Sequence, residues 1–221
     1  MRSSWELFRD VRAESASAST KGLRGPVTTM WPESDSASSA ALGARRAVKD
    51  FEDAPLDPAQ LERLCASVRR ADIDLWSGHQ ETSPLRVLVA VRNVDGLSTG
   101  VHEHVDGRLE LLAAVEDQEF LDGLVLQPEF AAASAIVVVA GSLAAAVEAD
   151  GEHGYRLLLE RAGAACQTAW LSAVGQGLDG CIFAGLLPSG LASLVGFDGY
   201  YSTQLLAFAV GHERSAERRA D

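Results

Sequence analysis

Apolar positions along this chain switch between two periods, and the switches mark out its elements. Leu61, Leu64, Cys65 and Val68 recur at three- and four-residue steps, the spacing of one helical face. Asp57 and Pro58 open that helix, Asp as N-cap and Pro at the first helical position. Leu85 to Val91 is a nearly unbroken apolar run that predicts a buried strand, and Asn93 to Gly96 supplies turn chemistry after it. Gly100–Val105 and Arg108–Leu111 predict a hairpin closed by Asp106-Gly107, and Ala135–Ala140 a second buried strand. From Gly154 to Val174 the helical period returns, through Tyr155, Leu158, Leu159, Ala162, Ala165, Cys166, Ala169, Trp170 and Ala173. Ala162-Gly163-Ala164-Ala165 spreads small residues onto the other face. A helix apolar nearly all round is buried on both sides, so this one is expected to be a core helix that also meets a second subunit. Strands at Cys181–Ala184 and Gln204–Val210 flank a short helix at Pro188–Val195. The expected order is helix, three strands, helix, strand, long helix, strand, helix, strand. It lacks the alternation of a doubly wound fold and predicts an α+β protein.

Composition changes this picture little. The 221 residues are 47% hydrophobic and 23% charged, ordinary for a globular domain. The net charge of -12 argues against nucleic acid and against an anionic membrane surface. No stretch reads as a signal peptide or a membrane span, so a cytoplasmic protein is expected. Cys65, Cys166 and Cys181 have no zinc spacing, and Cys166 and Cys181 read as buried thiols; no metal site is expected. His102 and His104 share one strand face without a third ligand and read as a surface pair. Residues 1–40, rich in Ser and Ala but carrying Trp5, Leu7, Phe8 and Trp31, read as an N-terminal arm packing through a few anchors. Residues 41–214 read as one domain and 215–221 as a tail.

Chemistry concentrates in two blocks. Arg45, Arg46 and Lys49 lie within five positions, in Ala-Arg-Arg-Ala-Val-Lys-Asp-Phe, where a helix hands over to an extended segment. Such cations suit the helix dipole on a solvated end, and they equally suit a phosphate. The second block is Gly154-Tyr155-Arg156, the long helix, then Gly175-Gln-Gly-Leu-Asp-Gly180. In this order and spacing the two resemble the FMN-dependent nitroreductase superfamily, most closely its SagB-type peptide-azoline dehydrogenases, over roughly Arg45 to Gly211.

The resemblance implies a nitroreductase-like mixed β-sheet flanked by helices, with the long central helix at a dimer interface, and FMN as cofactor. Arg45 is then expected at the phosphate or ribityl chain, Arg46 at the ribityl chain or ring edge, and Lys49 at the ring's polar edge. Ala47 stands where the family has Ser. Ala184-Gly185 matches a turn that approaches the flavin with little side chain, and Arg214 is a further phosphate candidate. Ser77 to Leu85 matches a loop that lines the flavin pocket in the family, though Ser83 replaces its Tyr; a polar surface loop reads equally well. The family's catalytic Lys-Tyr pair is Ala149-Asp150 here, which leaves Asp150, His153 and Tyr155 as candidates for proton transfer. Three functions follow from these readings. One is azoline oxidation to azoles on a peptide substrate. The second is a catalytically impaired partner of peptide-modifying enzymes, as a homodimer or a heterodimer with a homologue. The third is NAD(P)H-dependent reduction of small nitro compounds, for which the usual Pro-Ser-x-x-Asn loop is missing.

Overall fold

A computed structural model describes residues 42–215; the arm expected at 1–40 and the tail beyond Ser215 lie outside the described residues. Helix α1 (Pro58–Leu75) opens as expected: Asp57 Oδ1 accepts from the Ala59 amide at 2.8 Å, and Pro58 occupies the first turn. Strands β1 (Arg86–Val91), β2 (Gly100–Val105) and β3 (Arg108–Ala114) follow. The β2–β3 turn takes positive φ at both Asp106 (49°) and Gly107 (82°), the geometry of a tight two-residue hairpin. After β4 (Ala135–Gly141) come α2 (Leu143–Asp150) and the 22-residue α3 (Gly154–Gly175), then β5 (Asp179–Phe183), α4 (Pro188–Val195) and β6 (Thr203–Gly211).

The strands form one sheet in the order β3-β2-β1-β4-β6-β5, and every neighbouring pair is antiparallel. Among the described residues, the expected mixed character is limited to isolated parallel bridges, Ala47↔Gly180 and Leu56↔Val94. Between β3 and β4 the expected helix is replaced by two short 3-10 turns, Gln118–Gly123 and Pro128–Ala132. Helix α2 was not expected. Its N-cap is Ser142, whose hydroxyl accepts from the Ala145 amide at 3.1 Å.

The continuous apolar runs are explained by burial of both sheet faces. On β1, Val87, Val89 and Val91 face α1 and α3, while Leu88 and Ala90 join the opposite core with Phe130, Phe183 and Leu191. Strand β4 divides its residues in the same way. Each such Val or Leu contributes about 1.5–3 kcal/mol when fully buried. Gly154 lets α3 start hard against α2, because a Cβ there would fall inside the Ala146 carbonyl. No residue from Arg161 to Val174 is fully exposed.

His102 and His104 correct the surface reading. Both are about 3% exposed. His102 Nε2 lies 2.8 Å from the Ser98 carbonyl, and His104 packs near Arg69 and Glu62 of α1. Burial, and next the Arg69 charge, lower the His104 pKa. All three cysteines are buried and free, and burial pushes the Cys166 thiol up to about 12.

Candidate functional site

The cation block and the C-terminal segment, more than 160 positions apart, meet at the β5 edge of the sheet. Two bridges bring them there: Ala47 pairs with Gly180 of β5, and Phe51 with Glu213 just beyond β6. Arg46 is locked on Glu213 through both guanidinium nitrogens, Nη1 reaching Oε1 at 2.7 Å. This contact raises the Arg46 pKa. Asp179 Oδ1 lies 3.9 Å from the same guanidinium. Arg214 Nε donates to Asp50 Oδ1 at 3.0 Å and Nη2 to the Phe51 carbonyl at 3.1 Å. Lys49 Nζ is 3.5 Å from Glu129 and 5.4 Å from the Phe130 ring centroid. Arg45 meets no carboxylate among the described residues; its guanidinium lies 4.3 Å over the Trp170 ring of α3.

The four cations lie around one sheet edge but not at one spot: Arg45 rests on Trp170 of the α3-side core, Lys49 on Phe130 of the opposite core, and Arg46 and Arg214 at the 212–214 segment. Ala184 and Gly185 stand apart from Arg46, five or six residues along β5 from Asp179, roughly 17–20 Å at strand rise. Lys49 spans part of that distance, because Phe130 stacks on Phe183 at 4.1 Å, one residue before Ala184. The Gly185 turn is lined by the chain itself: its carbonyl accepts from the Leu126 amide at 2.7 Å.

The proton-transfer candidates separate. His153 and Tyr155 are exposed, Tyr155 on a groove of about 400 Å³ shared with Leu143, Leu159 and Gln204. Asp150 instead meets His79, with Nε2 3.3 Å from Oδ1. His79 Nδ1 and Asp150 Oδ2 are enclosed and carry no hydrogen bond among the described residues. If Nε2 donates to the carboxylate, Nδ1 holds the free lone pair.

The loop that carries His79 is anchored from below. Arg161 of α3, 1% exposed, donates through Nε and Nη2 to the two oxygens of Asp72, both at 2.8 Å. Its Nη1 reaches the Ser83 carbonyl at 2.8 Å and hydroxyl at 3.0 Å. Gln80 adds a 2.9 Å bond to Asp72, and the Ser83 amide returns to the His79 carbonyl at 3.0 Å. The 77–85 segment is thus a largely exposed polar loop anchored through buried Ser83 and Leu85 and the Asp72–Arg161 pair beneath it. Sequence reasoning passed over Arg161, Asp72 and His79. The available signal was positional: Asp72 and Arg161 each occupy the next step of an apolar helical stripe, where a charge needs a partner.

The nitroreductase family model matches residues 42–212. This chain belongs to the nitroreductase family. Its fold is similar to that of a nitroreductase-class protein of Anabaena variabilis, at TM-score 0.68 and 19% identity over 80% of this chain and 38% of that one. It also resembles a chain of the E. coli microcin synthetase McbBCD complex with truncated pro-MccB17 bound, at TM-score 0.64 and 21% identity, covering 75% and 68%. A nitroreductase family protein from Clostridium novyi gives 0.57 and 14%, covering 83% and 88%. At these identities the likeness is one of fold. No curated protein sequence matches the chain. Nitroreductases generally bind FMN, and the donor set at the β5 edge suits its phosphate in kind. It offers several guanidiniums and a lysine, all substantially exposed, and exposed ion pairs are weak enough to exchange. No helix among the described residues is long and apolar enough to cross a membrane.

Proposed function

We propose that this nitroreductase is an FMN-dependent dehydrogenase acting on peptides, oxidising an azoline ring to the azole. The observation that supports the flavin part is the placement of Arg45, Arg46, Lys49 and Arg214 around one sheet edge. The peptide part rests on the resemblance to SagB-type enzymes and is supported by the fold likeness to a microcin synthetase chain. Arg45, Arg46 and Arg214 would hold the phosphate and ribityl chain, and Lys49 the polar edge of the ring. Bound flavin supplies a two-electron acceptor for hydride. The balance of the reaction is a hydride lost from one ring carbon and a proton from its neighbour.

The proton needs an acceptor, and the family's lysine is absent. The Asp150–His79 pair stands at that position and is the acceptor in this reading, which requires His79 to turn out so that its enclosed Nδ1 meets the substrate. Within one chain the pair and the cations lie near opposite ends of α3. Sixteen residues separate Gly154 from Trp170, about 24 Å at helical rise. A shared active site therefore calls for two chains with their α3 helices antiparallel, which agrees with the small-residue face of that helix.

A second reading has one observation in its favour. Arg46, Lys49 and Arg214 already face carboxylates, as suits a partner subunit that has lost tight flavin binding. The test is incubation of the purified, flavin-loaded chain with an azoline peptide. Loss of two mass units, abolished in His79→Ala and Asp150→Asn, is expected. If turnover appears only on adding an intact homologue, or only after Ala149→Lys with Asp150→Tyr, the partner-subunit reading stands instead.

A further inference from the structure

Resting on the flavin-dependent reading, we propose that Glu213 is an internal competitor for the flavin phosphate, and that flavin enters by opening the Arg46–Glu213 pair. One planar edge of a guanidinium receives one oxyanion pair at a time. In this chain that edge of Arg46 is taken by both oxygens of Glu213. Glu213 is not a drifting side chain. Its backbone bridges to Phe51, and its amide donates to Asp179 Oδ2 at 3.1 Å. On either side, the Glu52 amide donates to the His212 carbonyl at 2.8 Å and the Arg214 amide to the Asp50 carbonyl at 3.0 Å. Residues 50–52 and 212–214 thus form a clasp between the extended segment that precedes α1 and the segment that follows β6.

The clasp uses the same cations a phosphate needs. Among the described residues, Arg45, Arg46, Lys49 and Arg214 are matched in number by Asp50, Glu129, Asp179 and Glu213. In this proposal the phosphate takes the Arg46 fork, and Glu213 and Asp179 are the described carboxylates closest to it. Displacing Glu213 leaves a carboxylate beside the new phosphate, and like charges at such range repel. The balance weakens phosphate binding without forbidding it, because exposed ion pairs exchange readily. Arg45, which rests on Trp170 and meets no carboxylate among the described residues, is the cation taken here for first contact.

The test compares FMN with riboflavin, which has the same ring and no phosphate, titrated into the full chain at low ionic strength and followed by flavin fluorescence. Glu213→Gln is expected to tighten FMN by roughly three- to tenfold and to leave riboflavin unchanged. Adding Arg46→Ala to that variant is expected to remove the gain. Unchanged FMN affinity in Glu213→Gln, or equal tightening of FMN and riboflavin, would overturn the proposal, since Glu213 would then be a clasp residue only. If no variant binds either flavin, the flavin reading itself fails, an outcome distinct from tight binding that ignores Glu213. Should Glu213→Gln fail to fold, Asp179→Asn carries the same test. It removes the second carboxylate near Arg46 but keeps an acceptor for the Glu213 amide. A smaller gain for FMN alone supports the proposal, and no gain overturns it.

Discussion

The two ends of α3 handle charge in opposite ways. Near its N-terminal end Arg161 is sealed from solvent, and every bond it makes goes to Asp72 or Ser83. Near its C-terminal end Arg45 covers Trp170, and Arg46 shares Glu213 at a surface where its side chain is 61% exposed. A buried pair is costly to form and cannot be exchanged, because either partner left alone is an uncompensated charge in the core. An exposed pair is weak, salt-sensitive and replaceable. The first arrangement suits a part that must hold a loop in one place, and the second a part that must trade partners with a ligand. In the proposed reading the same residue type, arginine, serves both roles, and burial decides which.

The buried end is expected to show the largest effect. Arg161→Ala strands the Asp72 carboxylate and should lower stability by about 3–5 kcal/mol, read in urea denaturation. Arg161→Met with Asp72→Leu should recover most of that loss. A loss below 1 kcal/mol for the single variant would erase the contrast between the two ends.

At the exposed end Arg45→Ala should leave folding stability nearly unchanged. It should weaken flavin retention by about 1.5–3 kcal/mol, roughly ten- to a hundredfold. The flavin-to-protein absorbance ratio of purified wild type and variant checks this, and equal ratios would remove Arg45 from the site.

A smaller effect separates both ends from the rest of the molecule. Burial and the Arg69 charge hold His104 below its ordinary pKa. The unfolded chain therefore takes up a proton near pH 6.5 that the folded chain resists. The His104 contribution is intact above that pH and is lost as pH falls below it toward the lowered folded value. Melting temperatures measured between pH 7.5 and 5 should fall less steeply for His104→Gln than for wild type. Parallel slopes would place the acid sensitivity elsewhere.

The fold was readable where one physical cause dominated. Asp57-Pro58, Asp106-Gly107 and the apolar runs of β1 and β4 announce a cap, a turn and strands buried on both faces, and each appears within a residue or two. Helix α2 went unread because Leu-Ala-Ala-Ala-Val-Glu-Ala-Asp has almost no apolar stripe; it is held by its Ser142 cap and by α3. The burial of His102 and His104 was invisible for a different reason. Strand alternation shows that two residues share a face, but only the docking of α1 shows which face is covered.

For the site, the clustering of Arg45, Arg46 and Lys49 was legible because it is local in sequence. Their carboxylate partners were not, since Glu213, Asp179 and Glu129 reach them only through sheet pairing and the 3-10 turns. The same holds for His79 meeting Asp150 across 71 positions. Charge neutralisation within a site is a tertiary property, and it separates what the cation motif promises from what the folded chain offers.

The central claim, that this nitroreductase works through flavin held by the β5-edge cations, is tested most directly by the visible absorption spectrum of the purified chain after incubation with FMN and desalting. The account predicts a flavin spectrum approaching one FMN per chain, diminished in Arg45→Ala. A colourless protein, with the fluorescence of added FMN unquenched at any concentration tried, would contradict it.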